Sequence, residues 1–298
     1  MSTHSDYQSY YVPEQSRWPI LASISLFLMA FGAGTLMTNL SSESGGGLGL
    51  VLLLAGALAM GLILVGWFGN VINESHQGLY SPQMDRSFRW GMSWFIFSEV
   101  MFFAAFFGTL FYVRTLAVPW LGGEGDKGVS NMLWQGFSAE WPLMTTPDQS
   151  SFPGPKEVID PWHIPLLNTI LLISSSFTVT LAHKALKLNL RSRVVFWLGA
   201  TIALGLVFLY FQAYEYAVAY NDLGLTLNAG IYGATFFILT GFHGMHVTLG
   251  TIMLIIIFLR VLKGHFNSDK HFGFEAVAWY WHFVDVVWVG LFLFVYII

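Results

Sequence analysis

Three short stretches carry the side chains that can do chemistry. In Trp90 to Val113, WGMSWFIFSEVMFFAAFFGTLFYV, a run of 24 residues holds a single carboxylate, Glu99. In TGFHGMHVTLG, His243 and His246 stand three residues apart, and in WYWHFVDVVW so do His282 and Asp285. That spacing puts each pair on one face of a helix. At about 1.5 Å per residue the first run crosses a bilayer core of about 30 Å and sets Glu99 roughly 14 Å in, near the middle. A charge at that depth costs about 3 kcal/mol or more, so Glu99 is expected to carry a proton, to be hydrogen-bonded, or to face protein. Its neighbours at three and four residues are Phe95, Ile96, Phe102 and Phe103, none of which satisfies a carboxylate. Its partner must come from another helix.

Counted from their expected cytoplasmic ends, Asp285 lies at a depth similar to Glu99, and His246 slightly farther out. One buried polar network of Glu99, His243, His246, His282 and Asp285 is therefore geometrically allowed. Such a set supports three chemistries. It can be a satisfied network that fixes helix register, or a proton relay of the kind Asp, Glu and His build inside membranes. It can also hold iron or copper, which imidazole and carboxylate suit, although no second His pair or Glu-x-x-His repeat completes a binuclear site. Elsewhere, Glu215 in FQAYEY is expected near the outer end of its helix, within reach of water. Arg260, Lys263 and His265 in LRVLKGHF form a juxtamembrane basic group, which attracts anionic lipid headgroups at about 1 kcal/mol per residue. Ordinary positive-inside bias explains the same residues equally well.

The elements that position these groups follow from composition. Of 298 residues, 55% are hydrophobic, 17% aromatic and 10% charged, and the mean hydropathy is +0.61. This is the balance of an all-α integral membrane protein. The net charge of −4, with no basic run, gives no support to nucleic-acid binding. The absence of cysteine excludes disulfides, c-type haem attachment, iron–sulfur clusters and thiolate-bridged copper. Seven apolar segments predict seven transmembrane helices, near 20 to 40, 48 to 70, 90 to 113, 164 to 183, 194 to 219, 229 to 259 and 274 to 297. The polar, mixed-charge first 19 residues and the long segment after them do not resemble a cleavable signal.

Lys and Arg set the orientation. Ten of them (Arg17, Arg86, Arg89, Lys184, Lys187, Arg191, Arg193, Arg260, Lys263 and Lys270) fall on one side, against Arg114, Lys127 and Lys156 on the other. The ratio predicts a cytoplasmic amino terminus and a carboxyl terminus on the far side. Residues 1–72 comprise an amino-terminal tail and the first two helices, joined by SSESGGG; residues 73–298 are expected to form a five-helix bundle. Ala57 and Gly61, in small-xxx-small spacing with Gly56, Gly66 and Gly69 nearby, predict close packing in the first part. The segment at about 118–163 is expected outside the membrane. It carries six acids against two Lys, and Trp120, Trp134, Trp141 and Trp162 suit a headgroup interface or a partner surface.

SEVMFF around Glu99, PLLNT at Pro165 to Thr169, QAYEY, YGATFF, TGFHGMHVTLG and above all HFGFEAVAWYWHFVDVVW closely resemble the subunit III family of cytochrome c oxidases. The likeness covers helices 2 to 7 densely and helix 1 by position. Seven crossings resemble the cytochrome c branch rather than the shorter third subunit of quinol oxidases. The resemblance implies an accessory subunit of a proton-pumping haem–copper oxidase, with no catalytic residue, metal or haem of its own. Subunit I would carry the haems and one copper, and subunit II would take electrons from cytochrome c. It further implies phospholipids held in a cleft between a two-helix and a five-helix part, stabilisation of the catalytic subunit, support of proton uptake, and a bacterial-type cytoplasmic membrane. By similarity Glu99 is the family's carbodiimide-reactive carboxylate, and Arg260, Lys263 and His265 lie near a bound anionic lipid. Where the family often has Arg before the Glu of the helix 2 to 3 turn, this chain has Asn73 before Glu74. Two other functions fit the bare residues: a stand-alone proton-coupled transporter, which lacks support from any inverted repeat or paired Pro interruption, and a membrane metal oxidase built on His243 and His246.

Overall fold

The computed structural model describes residues 11–42 and 47–298. The first ten residues and most of the SSESGGG link lie outside the described residues. Seven helices are long and apolar enough to cross a membrane. They are α1 (Trp18–Ser41), α2 (Gly47–His76), α3 (Pro82–Tyr112), α4 (Ile164–Lys187), α5 (Arg191–Asn221), α6 (Gly230–Leu262) and α7 (Phe272–Leu291). α3 runs on through a π-helical turn, Val113–Ala117, into Val118–Leu121, and α7 through a second π turn, Phe292–Ile297. Among the described residues there is no strand. Most helices outrun their apolar segments because hydropathy marks only the hydrocarbon core, while the hydrogen-bonded ladder continues through the polar interface. Pro at the first turn of α1 and of α4 costs nothing, since no backbone N–H there has an intrahelical partner.

The chain divides into two compact units, Met1–Phe88 and Arg89–Ile298, with the division inside α3. The first unit is built on the α1–α2 hairpin. Its small residues at the contact are Gly32, Gly49 and Gly56: a Cβ on Gly49 would sit 2.5 Å from the Leu36 backbone nitrogen, and one on Gly56 would sit 2.9 Å from that of Met29. The close packing expected of α2 thus falls on Gly56, named with the Ala57–Gly61 pair, and not on the pair itself. Ala57 is exposed and a Cβ on Gly61 would meet nothing within 4 Å, because that pair faces away from α1. In the turn after α2, Tyr80 donates a 2.6 Å hydrogen bond to Glu74 Oε2. Burial, with Glu74 beside it, pushes the Tyr80 hydroxyl well above its ordinary value.

In the second unit α4 packs against α5, α5 against α6, α6 against α7, and α7 back against α4. Its centre is filled by Leu172, Leu198, Phe208, Leu254, Trp281 and Trp288, all fully buried or nearly so. Both indoles are also bonded: Trp281 Nε1 donates to Ser175 Oγ at 2.8 Å and Trp288 Nε1 to Thr169 Oγ1 at 3.0 Å. Lipid tails are as apolar as Leu, so close packing and such bonds, rather than water exclusion, hold the helices together. α3 joins this bundle through long aromatic side chains, Phe102 against Phe242 and Phe103 against Phe283. A smaller cluster of Val113, Val118, Leu143, Ala219, Leu225, Tyr232, Phe236 and Phe237 closes the end of the bundle where α3 leaves and α6 begins. Trp141 packs there on Tyr232 with Arg114 over its ring; Trp162 is exposed. In the segment between α3 and α4, hydrogen bonds from Ser150 and Ser151 hold the Asp148 carboxyl down at about 2.

Candidate functional site

Glu99 is the eighteenth residue of α3, and His246 the seventeenth of the 33 in α6. At about 1.5 Å per residue, His246 is roughly 24 Å from either end of its helix, well inside the bilayer. His246 Nε2 lies 2.9 Å from Glu99 Oε2. The imidazole is buried, edge-on to Phe103 with ring centres 4.9 Å apart and stacked at 6.4 Å on Tyr280. The Glu99 side chain is 21% exposed.

The hydrogen bonds fix the proton count of this pair. His246 Nδ1 is 2.6 Å from the Phe242 carbonyl oxygen, which can only accept, so Nδ1 carries a proton. A deprotonated Nε2 facing a carboxylate would oppose two lone pairs, so a further proton lies between Nε2 and Oε2. Whether assigned to imidazole or carboxyl, the pair holds two protons and is neutral overall. Net neutrality is what a midplane position demands.

The other three residues of the expected network are not joined to this pair. His243 is fully buried, donates from Nε2 to the Val284 carbonyl at 3.2 Å, and packs on Trp288 and Phe208. His282 turns to α4, with Nδ1 2.6 Å from Ser176 Oγ and Nε2 3.3 Å from Thr180 Oγ1. Because the Thr180 hydroxyl donates to the Ser176 carbonyl, it accepts from Nε2–H, and Ser176 donates to Nδ1. Asp285 has Ser176 as a polar neighbour, but that proton is spent on His282, and both Asp285 oxygens are buried without a hydrogen-bond partner among the described residues. Among the described residues the single network is thus reduced to the Glu99–His246 pair, a His243–Val284 contact and a His282–Ser176–Thr180 contact, with Asp285 bonded to none of them. Equal depth did not bring the groups together because the face of α6 that carries His243 and His246 meets both α7 and α3, while His282 turns to α4. Among the described residues His243 and His246 belong to no group of three ligating side chains.

Two contacts were not anticipated from sequence. Glu215 is buried rather than wet: Tyr296 donates to its Oε1 at 2.6 Å and Gln212 approaches at 3.5 Å. Its face of α5 is covered by the π turn that ends the chain. Arg89, at the start of α3 within the second unit, donates to Glu275 Oε2 on α7 at 2.7 Å and lies over the Phe272 ring. The only sequence signal for that pair was one Arg and one Glu near the starts of two helices that begin on the same membrane face. At the end of α6, the guanidinium of Arg260 stacks over Phe266 at 4.3 Å, its Nε has no partner among the described residues, and Lys263 is exposed. The His265 backbone N–H closes the helix on the Arg260 carbonyl at 3.0 Å.

Seven apolar helices with a neutral carboxyl–imidazole pair at mid-span define a multi-pass membrane protein whose interior is locked by polar contacts. A family model described as cytochrome c oxidase subunit III matches residues 8–126 and 131–298. The cytochrome c oxidase subunit 3 of Hippopotamus amphibius is 38% identical over 295 residues, covering 99% of this chain and 98% of the relative, and that of Homo sapiens matches with the same identity and coverage. The subunit of Prototheca wickerhamii is 38% identical over 288 residues, 96% of each chain. The chain belongs to the cytochrome c oxidase subunit III family, as an accessory subunit of a respiratory oxidase complex.

Proposed function

We propose that this chain is a non-redox subunit of a proton-pumping oxidase, with no catalytic site and no haem or redox metal of its own. It sits beside a subunit I that carries the haems and one copper, in a complex where subunit II takes electrons from cytochrome c. The observation that carries this reading is the Glu99–His246 pair. Both nitrogens of His246 are occupied, one by a carbonyl and one by the carboxyl, so the residue that a redox metal site on α6 would need is already committed to holding α3. The pair's role is structural: it stiffens the bundle against which the catalytic subunit rests, and so supports continued proton uptake during turnover. Arg260, Lys263 and His265 take an anionic phospholipid headgroup. The chain lies in a bacterial-type cytoplasmic membrane, and the Lys and Arg distribution supports a cytoplasmic amino terminus with the carboxyl terminus periplasmic.

Affinity purification of this chain from membranes in mild detergent tests the reading. A haem-containing subunit should come with it, and Arg260→Ala with Lys263→Ala should lower the anionic lipid retained. Recovery of the chain alone, from membranes that contain the oxidase, would favour a stand-alone transporter.

A further inference from the structure

His183, four residues before the end of α4, His271, the residue that caps α7, and Glu275 in the first turn of α7 meet on the face rich in Lys and Arg. Each offers one ligand atom, and these atoms lie within 4.8 Å of one another. Among the described residues no other group of three His, Cys, Asp or Glu side chains does so. The geometry points to a divalent cation site of the zinc class, which departs from the sequence expectation of no metal in this chain.

Four observations carry it. The imidazoles face each other with ring centres 5.3 Å apart. His183 Nε2 is buried and has no hydrogen-bond partner among the described residues, so a lone pair or proton there is left unsatisfied. The Glu275 carboxylate is the anion, 4.0 Å from His271 Nε2 and 15% exposed. Arg89 takes Oε2 of Glu275 and leaves Oε1 for an ion. Two neutral imidazoles and a carboxylate form a donor set suited to zinc, with the fourth position open to water. Zinc–ligand bonds of about 2.0–2.2 Å place tetrahedral donors about 3.3 Å apart, so the three atoms must close by roughly an ångström. His271 can follow: its backbone stands outside the helix, at φ −142°. Phe274, stacked on His183 at 5.7 Å, supports that ring from the other side. The charge of Arg89 opposes a cation, so the site binds exchangeably rather than as a permanent structural centre. A bound ion would clamp the end of α4 to the start of α7.

The test uses the complex as purified with this chain, stripped with chelator and then equilibrated with zinc chloride by dialysis. The unaltered complex should bind about one zinc ion more than the complex carrying His183→Asn and His271→Asn. Equal zinc in the two, with this subunit present in equal amount on gels, overturns the assignment. If the double variant is lost from the complex, X-ray absorption at the zinc edge of the unaltered complex, loaded with one equivalent, reads the same claim. Two imidazoles and an oxygen shell at about 2.0–2.2 Å uphold it; a shell without imidazole overturns it.

Discussion

Replacing His246 with Leu removes the hydrogen-bond partner of a carboxyl whose helical neighbours, Phe95, Ile96, Phe102 and Phe103, offer it none. Breaking a buried pair leaves the surviving group uncompensated, at about 3–5 kcal/mol for full burial. The 21% exposure of the Glu99 side chain lowers this to about 2–4 kcal/mol, with translocon scales giving a similar figure for a central acid. Glu99→Gln is different in kind. Its amide N–H donates to His246 Nε2 while Nδ1–H stays on the Phe242 carbonyl, so the loss is about 1 kcal/mol, the difference between a charge-assisted and a neutral bond. Glu99→Leu alone strands Nε2, at about 1–3 kcal/mol. With His246→Leu added, both polar groups are gone and the double variant should recover about 2 kcal/mol relative to the sum of the singles. SDS titration of the purified complex in non-ionic detergent, following this subunit on native gels, measures each step. A His246→Leu variant as durable as Glu99→Gln, or a double variant no better than additive, would refute the pairing as a source of stability.

Three further outcomes follow from the packing. Gly49→Val should destabilise the α1–α2 hairpin by about 1–3 kcal/mol, since the side chain meets Leu36 backbone. Gly61→Ala, in open space, should not, and heat-induced loss of near-ultraviolet circular dichroism separates the two. Tyr296→Phe should cost about 1–3 kcal/mol by leaving Glu215 with only Gln212, read as a lower midpoint of thermal subunit loss. In the segment between α3 and α4, the Asp148 contacts with Ser150 and Ser151 are at full strength above the ordinary carboxylate value near 3.9 and fade as pH falls through about 2. Ser150→Ala should therefore raise the Asp148 midpoint, measured by carbon NMR of labelled carboxyls.

What the sequence disclosed follows from the bilayer. Length and hydropathy give the seven crossings because lipid forbids unsatisfied backbone, and the depth of Glu99 pointed to later helices as its source of partners. Depth says nothing of rotation, however. His243 and His246 share a face, yet one reaches α7 backbone and the other α3; His282 and Asp285 look inward to α4 instead. Glu215 read as a residue near water because the π turn that covers it has no periodicity to announce it. The Arg89–Glu275 pair and the His183–His271 approach join positions 186 and 88 residues apart, a separation at which spacing carries no signal.

The central claim is that the chemistry of the oxidase resides in its partners while this chain holds the frame. Releasing this subunit from the purified complex with harsher detergent, then assaying haem, iron and copper in both fractions, tests it. The account expects all three to stay with the remaining subunits; stoichiometric iron or copper travelling with this chain would contradict it.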